Sequence, residues 1–216
     1  MIEPFIHNHQ YNALNRQIDT LQRAYNTVAD RKVIDAAKYS AESYVAGLFN
    51  SMTEEQRRLL EPLFEHKSKI EYELAISDLT PYLVSFPKVT EAQIKKLFPK
   101  VKKLKVPDLT EVPFGSLTYL GWLDIGSTKL YMVYKREGRL VGVEARYTAA
   151  NKKSICSLCN GYGEVALVTA VAKTKASSLP DYYKAVGNYM CVDSAYCNKR
   201  ITDISYLETF IGEIVG

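Results

Sequence analysis

The feature that most constrains this chain is the placement of its cysteines. There are four in 216 residues, and all fall in the last third as two close pairs, Cys156-Ser-Leu-Cys159 and Cys191-Val-Asp-Ser-Ala-Tyr-Cys197. A two-residue spacing lets both thiolates of the first pair point at one ion from a tight turn. Asn160-Gly161 and Gly163, just beyond, give such a turn room. The second pair has five intervening residues, more than the usual two to four. That spacing fits a turn leading into a helix, with the last sulfur supplied from the first helical turn. A helix N-terminus favours a thiolate, because its unpaired N–H groups attract negative charge. Four thiolates close a tetrahedral shell and leave no position for a reactive water, so the expectation is one structural Zn2+ held by Cys156, Cys159, Cys191 and Cys197.

Three other readings compete with zinc. Unrelated buried cysteines rarely fall into two close pairs. Disulfides need an oxidising compartment. The first fifteen residues hold no apolar run for a secretory core, and no stretch is long and apolar enough to span a bilayer, so a cytoplasmic location is expected. A redox Cys-x-x-Cys calls for a thioredoxin-like βαβ pattern, which does not surround Cys156.

The first half of the chain reads as helices. Tyr11, Leu14, Ile18, Leu21, Tyr25 and Val28 recur at three- and four-residue steps, and Ile34, Ala37, Ala41, Tyr44, Val45 and Leu48 continue the pattern. Thr53-Glu-Glu-Gln56 is a capping box that opens a third helix, which Pro62 should kink or end. A fourth segment, over 67–83, carries Ile70, Leu74, Leu79 and Leu83 as its apolar face. Short connections between such helices predict an antiparallel bundle.

The pattern shifts near Phe86-Pro87. A second capping box, Thr90-Glu-Ala-Gln93, starts a short helix, and six lysines then crowd residues 95–105 before Pro107 and Pro113 mark a loop. Alternation over 117–123, two apolar runs flanking Arg136-Glu-Gly-Arg139, and further runs over 164–171 and 189–191 read as strands. His7 and His9 read as ordinary polar residues ahead of the first helix. Ile204, Leu207, Ile211 and Ile214 form one face of a closing helix. The expected class is α+β, with a helical bundle over 1–87 followed by an α/β, zinc-binding domain over 88–216.

Catalysis finds little support. There are only three histidines, no Ser/His/Asp or Cys/His arrangement, and no glycine-rich phosphate loop. At 47% apolar and 24% charged residues the chain is an ordinary globular one, and a net charge of +4 is too small to indicate nucleic acid by itself. The lysines of 95–105 fit either a contact with RNA or an acidic protein, or a solvated helix face and its exit loop. The 16 tyrosines are many, and Tyr162, Tyr182, Tyr183, Tyr189 and Tyr196 lie near the cysteines in sequence. Such rings either form a protein interface, with Lys199 and Arg200 alongside, or cover a metal knuckle that has little core of its own.

Several stretches in one order carry a resemblance: His9-Gln-Tyr-Asn12, Phe98-Pro-Lys-Val-Lys-Lys-Leu-Lys-Val-Pro107, Gly121-Trp122, Cys156-Ser-Leu-Cys159-Asn160, Tyr189-Met-Cys191-Val-Asp-Ser194, Cys197-Asn-Lys199 and Thr202-Asp203-Ile204. With these the chain resembles the FusB-type proteins, which bind elongation factor G and protect it from fusidic acid. The resemblance implies a helical bundle followed by a domain with a treble-clef-like zinc finger, the four cysteines matching the family's ligands one by one. It also implies that the zinc-finger domain docks on elongation factor G and speeds its release from drug-stalled ribosomes without chemistry on the drug. The ribosome would then be an indirect partner, with no direct DNA contact. Tyr189 and Phe210 match the family's docking aromatics by position, with Lys199, Arg200 and Tyr196 beside them. Where the family can carry an aromatic just before its first cysteine, this chain has Ile155. The alternative is a zinc-finger ribosome- or RNA-binding protein with no part in drug resistance.

Overall fold

The computed structural model describes residues 2–49, 51–66, 68–172 and 184–216. The chain forms two compact units, residues 1–84 and 85–216.

In the first unit α1, Asn8–Thr27, begins at His7, whose backbone N–H donates to Gln10 Oε1 at 2.9 Å. His9 therefore lies inside the helix rather than ahead of it, with its ring stacked on that of His7. Asp30 caps α2, Arg31–Leu48, by accepting from the Lys32 N–H. The three-residue link between α1 and α2 brings them together antiparallel, and the Gln10 amide ties the pair by donating to Leu48 O at 2.8 Å. The Thr53 capping box starts α3, Glu54–Leu60, and Pro62 follows in a 3-10 turn where the α-helix has ended. A further capping box, Ser68 with Glu71, starts α4, Lys69–Ser77. This unit's core includes Leu14, Ile18, Leu21, Val45, Leu63 and Tyr72.

The buried face of α4 differs from the expected one. Tyr72 and Ile76 point inward with Leu79, while Ile70 and Leu74 are exposed. Residues 70 and 74 sit two positions from 72 and 76, about 200° round the helix, so burying one set exposes the other. An Ile6–Leu83 bridge closes the unit, with the Val84 N–H donating to Ile6 O at 2.9 Å.

The second unit opens with α5, Glu91–Leu97, capped by Thr90 and Gln93. Its strands are β1, Leu120–Asp124; β2, Lys129–Arg136; β3, Arg139–Ala149; β4, Ser154–Ile155; β5, Tyr162–Gly163; β6, Val165–Val171; and β7, Ala185–Cys191. Two helices follow, α6, Ser194–Asn198, and α7, Ser205–Val215. Five strands form one antiparallel sheet in the order β1-β2-β3-β6-β7, and β4 and β5 form a separate small hairpin. The expected hairpin at 136–139 is present. Arg136 pairs with Arg139, and Glu137 and Gly138 both take positive φ, 49° and 77°, as a two-residue turn matched to sheet twist requires.

Side chains of β1–β3 alternate between two buried faces. Leu120, Trp122, Tyr131 and Val133 pack under α5 and the segment that follows it, with Ile94, Phe98 and Leu104. Leu130, Met132, Tyr134, Val143 and Ala145 pack with α7 and the residues around the cysteines. Two strand expectations change. Residues 117–119 do not join β1, because the Thr118 and Tyr119 N–H groups bond a side chain instead of a neighbouring strand. β7 starts at Ala185, well before Tyr189.

Candidate metal centre

The first cysteine pair sits on a turn that the backbone builds for itself. Cys156 follows β4, and its N–H donates to Gly161 O at 3.0 Å, while the Asn160 N–H donates to Cys156 O at 2.8 Å. Asn160 closes the turn at φ 53°, a left-handed conformation that asparagine tolerates. Two backbone N–H groups point at the Cys156 sulfur, from Leu158 at 3.4 Å and from Cys191 at 3.3 Å. Such donors stabilise a thiolate. Cys191 ends β7, and Asp193 then caps α6 by accepting from the N–H groups of Ala195 and Tyr196. Cys197 is the fourth residue of that helix, where the spacing of the second pair placed it.

The four sulfurs lie within 4.8 Å of one another and all four residues are buried, with no disulfide among them. Cys156 and Cys197 sulfurs are 3.9 Å apart and those of Cys159 and Cys191 are 3.7 Å apart. A tetrahedron of thiolates at about 2.3 Å from a zinc ion has edges of about 3.8 Å. The donor set and its spacing thus fit the ion. Hydrogen bonds from the neighbouring thiols, first from Cys159, hold Cys156 well below the ordinary thiol range.

The shell around the cysteines is built from residues that the cysteine pattern alone did not single out. Asn198, buried beside Cys197, fills four hydrogen-bond positions. Its Oδ1 accepts from the Thr118 and Tyr119 N–H groups at 2.7 and 3.2 Å, and its Nδ2 donates to Tyr119 O and Ser194 O, both at 2.9 Å. This locks α6 to the chain entering β1. Tyr119 lies against Cys197, to which its hydroxyl is hydrogen-bonded; burial first, then the neighbouring cysteine, raises that hydroxyl far above its ordinary range. Gly121 is needed at this contact, since a Cβ there would lie 2.7 Å from the Tyr119 ring.

Several expected surface residues stand open beside the cysteines. Tyr189 and Tyr196 are 43% and 42% exposed, and Lys199 is exposed. Arg200 lies over the Tyr196 ring, 4.9 Å from its centre, and also bonds the Tyr196 hydroxyl and Tyr162 O. Gly161 leaves room for it: a Cβ there would come within 2.8 Å of three guanidinium atoms. Ile155 and Tyr162 pair across β4 and β5 and are 60% and 65% exposed. Leu167, opposite Tyr189 in the sheet, is exposed too. Tyr182 and Tyr183 lie outside the described residues.

Phe210 requires a correction. It is only 1% exposed and packs in the core with Leu207, Ile211 and Ile214. On α7 it follows Leu207 by three residues and precedes Ile214 by four, which places it on the inward stripe. It supports the sheet rather than offering a ring to a partner.

A helical unit followed by an antiparallel-sheet unit that gathers four cysteines defines an α+β protein of the zinc-finger-bearing class. Comparison with known proteins places it more closely. Residues 5–87 match the family model described as elongation factor G-binding protein, N-terminal, and residues 95–208 match that of the FBP C-terminal treble-clef zinc-finger. The chain belongs to this elongation factor G-binding protein family. The solved structure of the fusidic acid resistance protein FusC is similar over 97% of both chains, at 25% sequence identity and a TM-score of 0.80. No curated protein sequence matches significantly.

Proposed function

We propose that this chain is a cytoplasmic, non-catalytic protein that binds elongation factor G through its zinc-finger unit and releases the factor from ribosomes stalled by fusidic acid. Family membership and the likeness to a fusidic acid resistance protein support the partner and the setting. The observation that carries the docking site is the exposed set of Ile155, Tyr162, Tyr189 and Tyr196 around the buried cysteines. Large, stiff aromatic side chains bordered by Lys199 and Arg200 are the kind of anchor that protein interfaces use.

One zinc ion on Cys156, Cys159, Cys191 and Cys197 would supply rigidity, tying β7, α6 and the β4–β5 hairpin into a single surface. A surface fixed before binding loses less entropy on docking. Release then needs no bond chemistry. It is enough that the chain binds more tightly to the conformation of the factor that holds the ribosome weakly.

The test is co-sedimentation of elongation factor G with ribosomes in the presence of fusidic acid. Adding the zinc-loaded chain should move the factor from the ribosomal pellet to the supernatant, and the Tyr189→Ala/Tyr196→Ala double variant should do so much less. A factor that stays in the pellet with the wild-type chain at saturation would sink the release mechanism.

A further inference from the structure

The charge of the chain is divided unevenly. Residues 85–216 carry 19 Lys and Arg against 12 Asp and Glu, a net of +7, whereas residues 1–84 carry 9 against 12, a net of −3. Within the basic unit the lysines of 95–105 form its densest run. Phe98 and Leu104 are buried and Leu97, Val101 and Val106 pack against the same core, so the segment is held down on one face of β1–β3. All six lysines of the run are exposed. The Trp122 indole N–H fastens the segment further, donating to Lys105 O at 2.8 Å.

The opposing charges are few. Glu91 takes Lys95 at 2.5 Å, Glu137 lies 3.8 Å from Arg136, and Gly216 O accepts from Arg136 at 3.4 Å. Asp124 feels Lys105, and Asp108 is engaged by Thr110. Among the described residues Lys96, Lys100, Lys102, Lys103, Lys105 and Arg139 make no ion pair. Lys96 and Arg139 both line an open groove of about 780 Å3 between α5 and the β2–β3 hairpin.

We propose that these six side chains form a docking surface for the phosphate backbone of RNA, separate from the zinc-finger surface. A protein partner would look for exposed apolar anchors at the centre of its contact. Among the described residues no large exposed apolar side chain lies within the lysine segment or its flanks over 88–124, and Ile125, beside Asp124, stands at the edge of the surface rather than at its centre. A phosphate backbone needs no such anchor, because neutralising it releases counterions and that alone supplies affinity. The choice of RNA rests on the proposed action at the ribosome; the preference for phosphate over protein does not.

The test is fluorescence anisotropy of the zinc-loaded full chain with a labelled RNA duplex, over a series of salt concentrations. Wild type should bind with a steep salt dependence. The Lys96→Gln/Lys100→Gln/Lys102→Gln/Lys103→Gln variant should bind about tenfold or more weakly, with the slope of log affinity against log salt reduced by about one for each lysine removed. Lys152→Gln/Lys153→Gln, which removes two exposed lysines elsewhere in the unit, should leave the slope unchanged. An unaltered affinity and slope in the quadruple variant would overturn the proposal. So would equal binding of wild type to a poly-glutamate chain, which would assign the surface to an acidic protein. Binding of the quadruple variant to elongation factor G reports on the other surface and should be unchanged, so the two readings fail separately.

Discussion

Asn198 shows how much of the metal centre depends on residues that bind no metal. Its side chain satisfies three backbone groups of residues 118 and 119 and one of Ser194. Asn198→Ala should destabilise the second unit by about 3 kcal/mol, since it strands buried donors and acceptors, each of which costs roughly 1–3 kcal/mol. Urea unfolding of the zinc-loaded protein measures it. The cysteines themselves were legible because thiolate ligands must come at a few spacings from a turn or a helix start. Asn198 was not, since its partners at residues 118 and 119 lie about 80 residues away in sequence. Phe210 teaches the reverse lesson. Its place on the inward stripe of α7 was legible from spacing, and the positional resemblance to a docking aromatic pointed the other way. Phe210→Ala should therefore cost about 3–5 kcal/mol of stability. Tyr189→Ala should leave the melting temperature and zinc content unchanged and weaken only the affinity for elongation factor G. Comparing thermal melts and binding for the two variants separates support from contact.

At the scale of elements, local chemistry set the boundaries and tertiary contacts set the faces. The capping boxes at Thr53 and Thr90 start their helices where the sequence places them, because the reciprocal side-chain bonds act within four residues. The 136–139 hairpin was legible for the same reason. The buried face of α4 was not, since a short helix with apolar residues at 70, 72, 74 and 76 can present either side to a core. Nor was the late start of β1, which a distant side chain decides. α5 lies close on β3 only because residue 142 is glycine; a Cβ there would lie 2.9 Å from the Leu97 Cβ and the Phe98 ring. Gly142→Ala should lift α5 and its lysine segment from the sheet and cost about 1–3 kcal/mol, as overpacking does. Chemical denaturation gives the cost, and proteolysis between 98 and 107 should become faster if the segment has lifted.

For the whole molecule, the division into a helical and a sheet unit was legible as a change of hydrophobic period, from three and four residues to two. Each unit has its own core, Leu14, Ile18 and Tyr72 in one and Met132, Met190 and Phe210 in the other. Only the second holds cysteines. Cys191→Ser should therefore abolish zinc binding and unfold residues 85–216, because a structural site contributes its binding energy directly to folding. The helical signal of residues 1–84 in far-ultraviolet circular dichroism should persist. Full metal content with a normal melt in that variant would refute the four-cysteine site. What the chain does with this scaffold turns on one contact, and direct calorimetric titration of the zinc-loaded protein with elongation factor G measures it. A saturable one-to-one complex, weakened by Tyr189→Ala, is the expected result. No heat of binding from a folded, fully metallated protein would contradict the account.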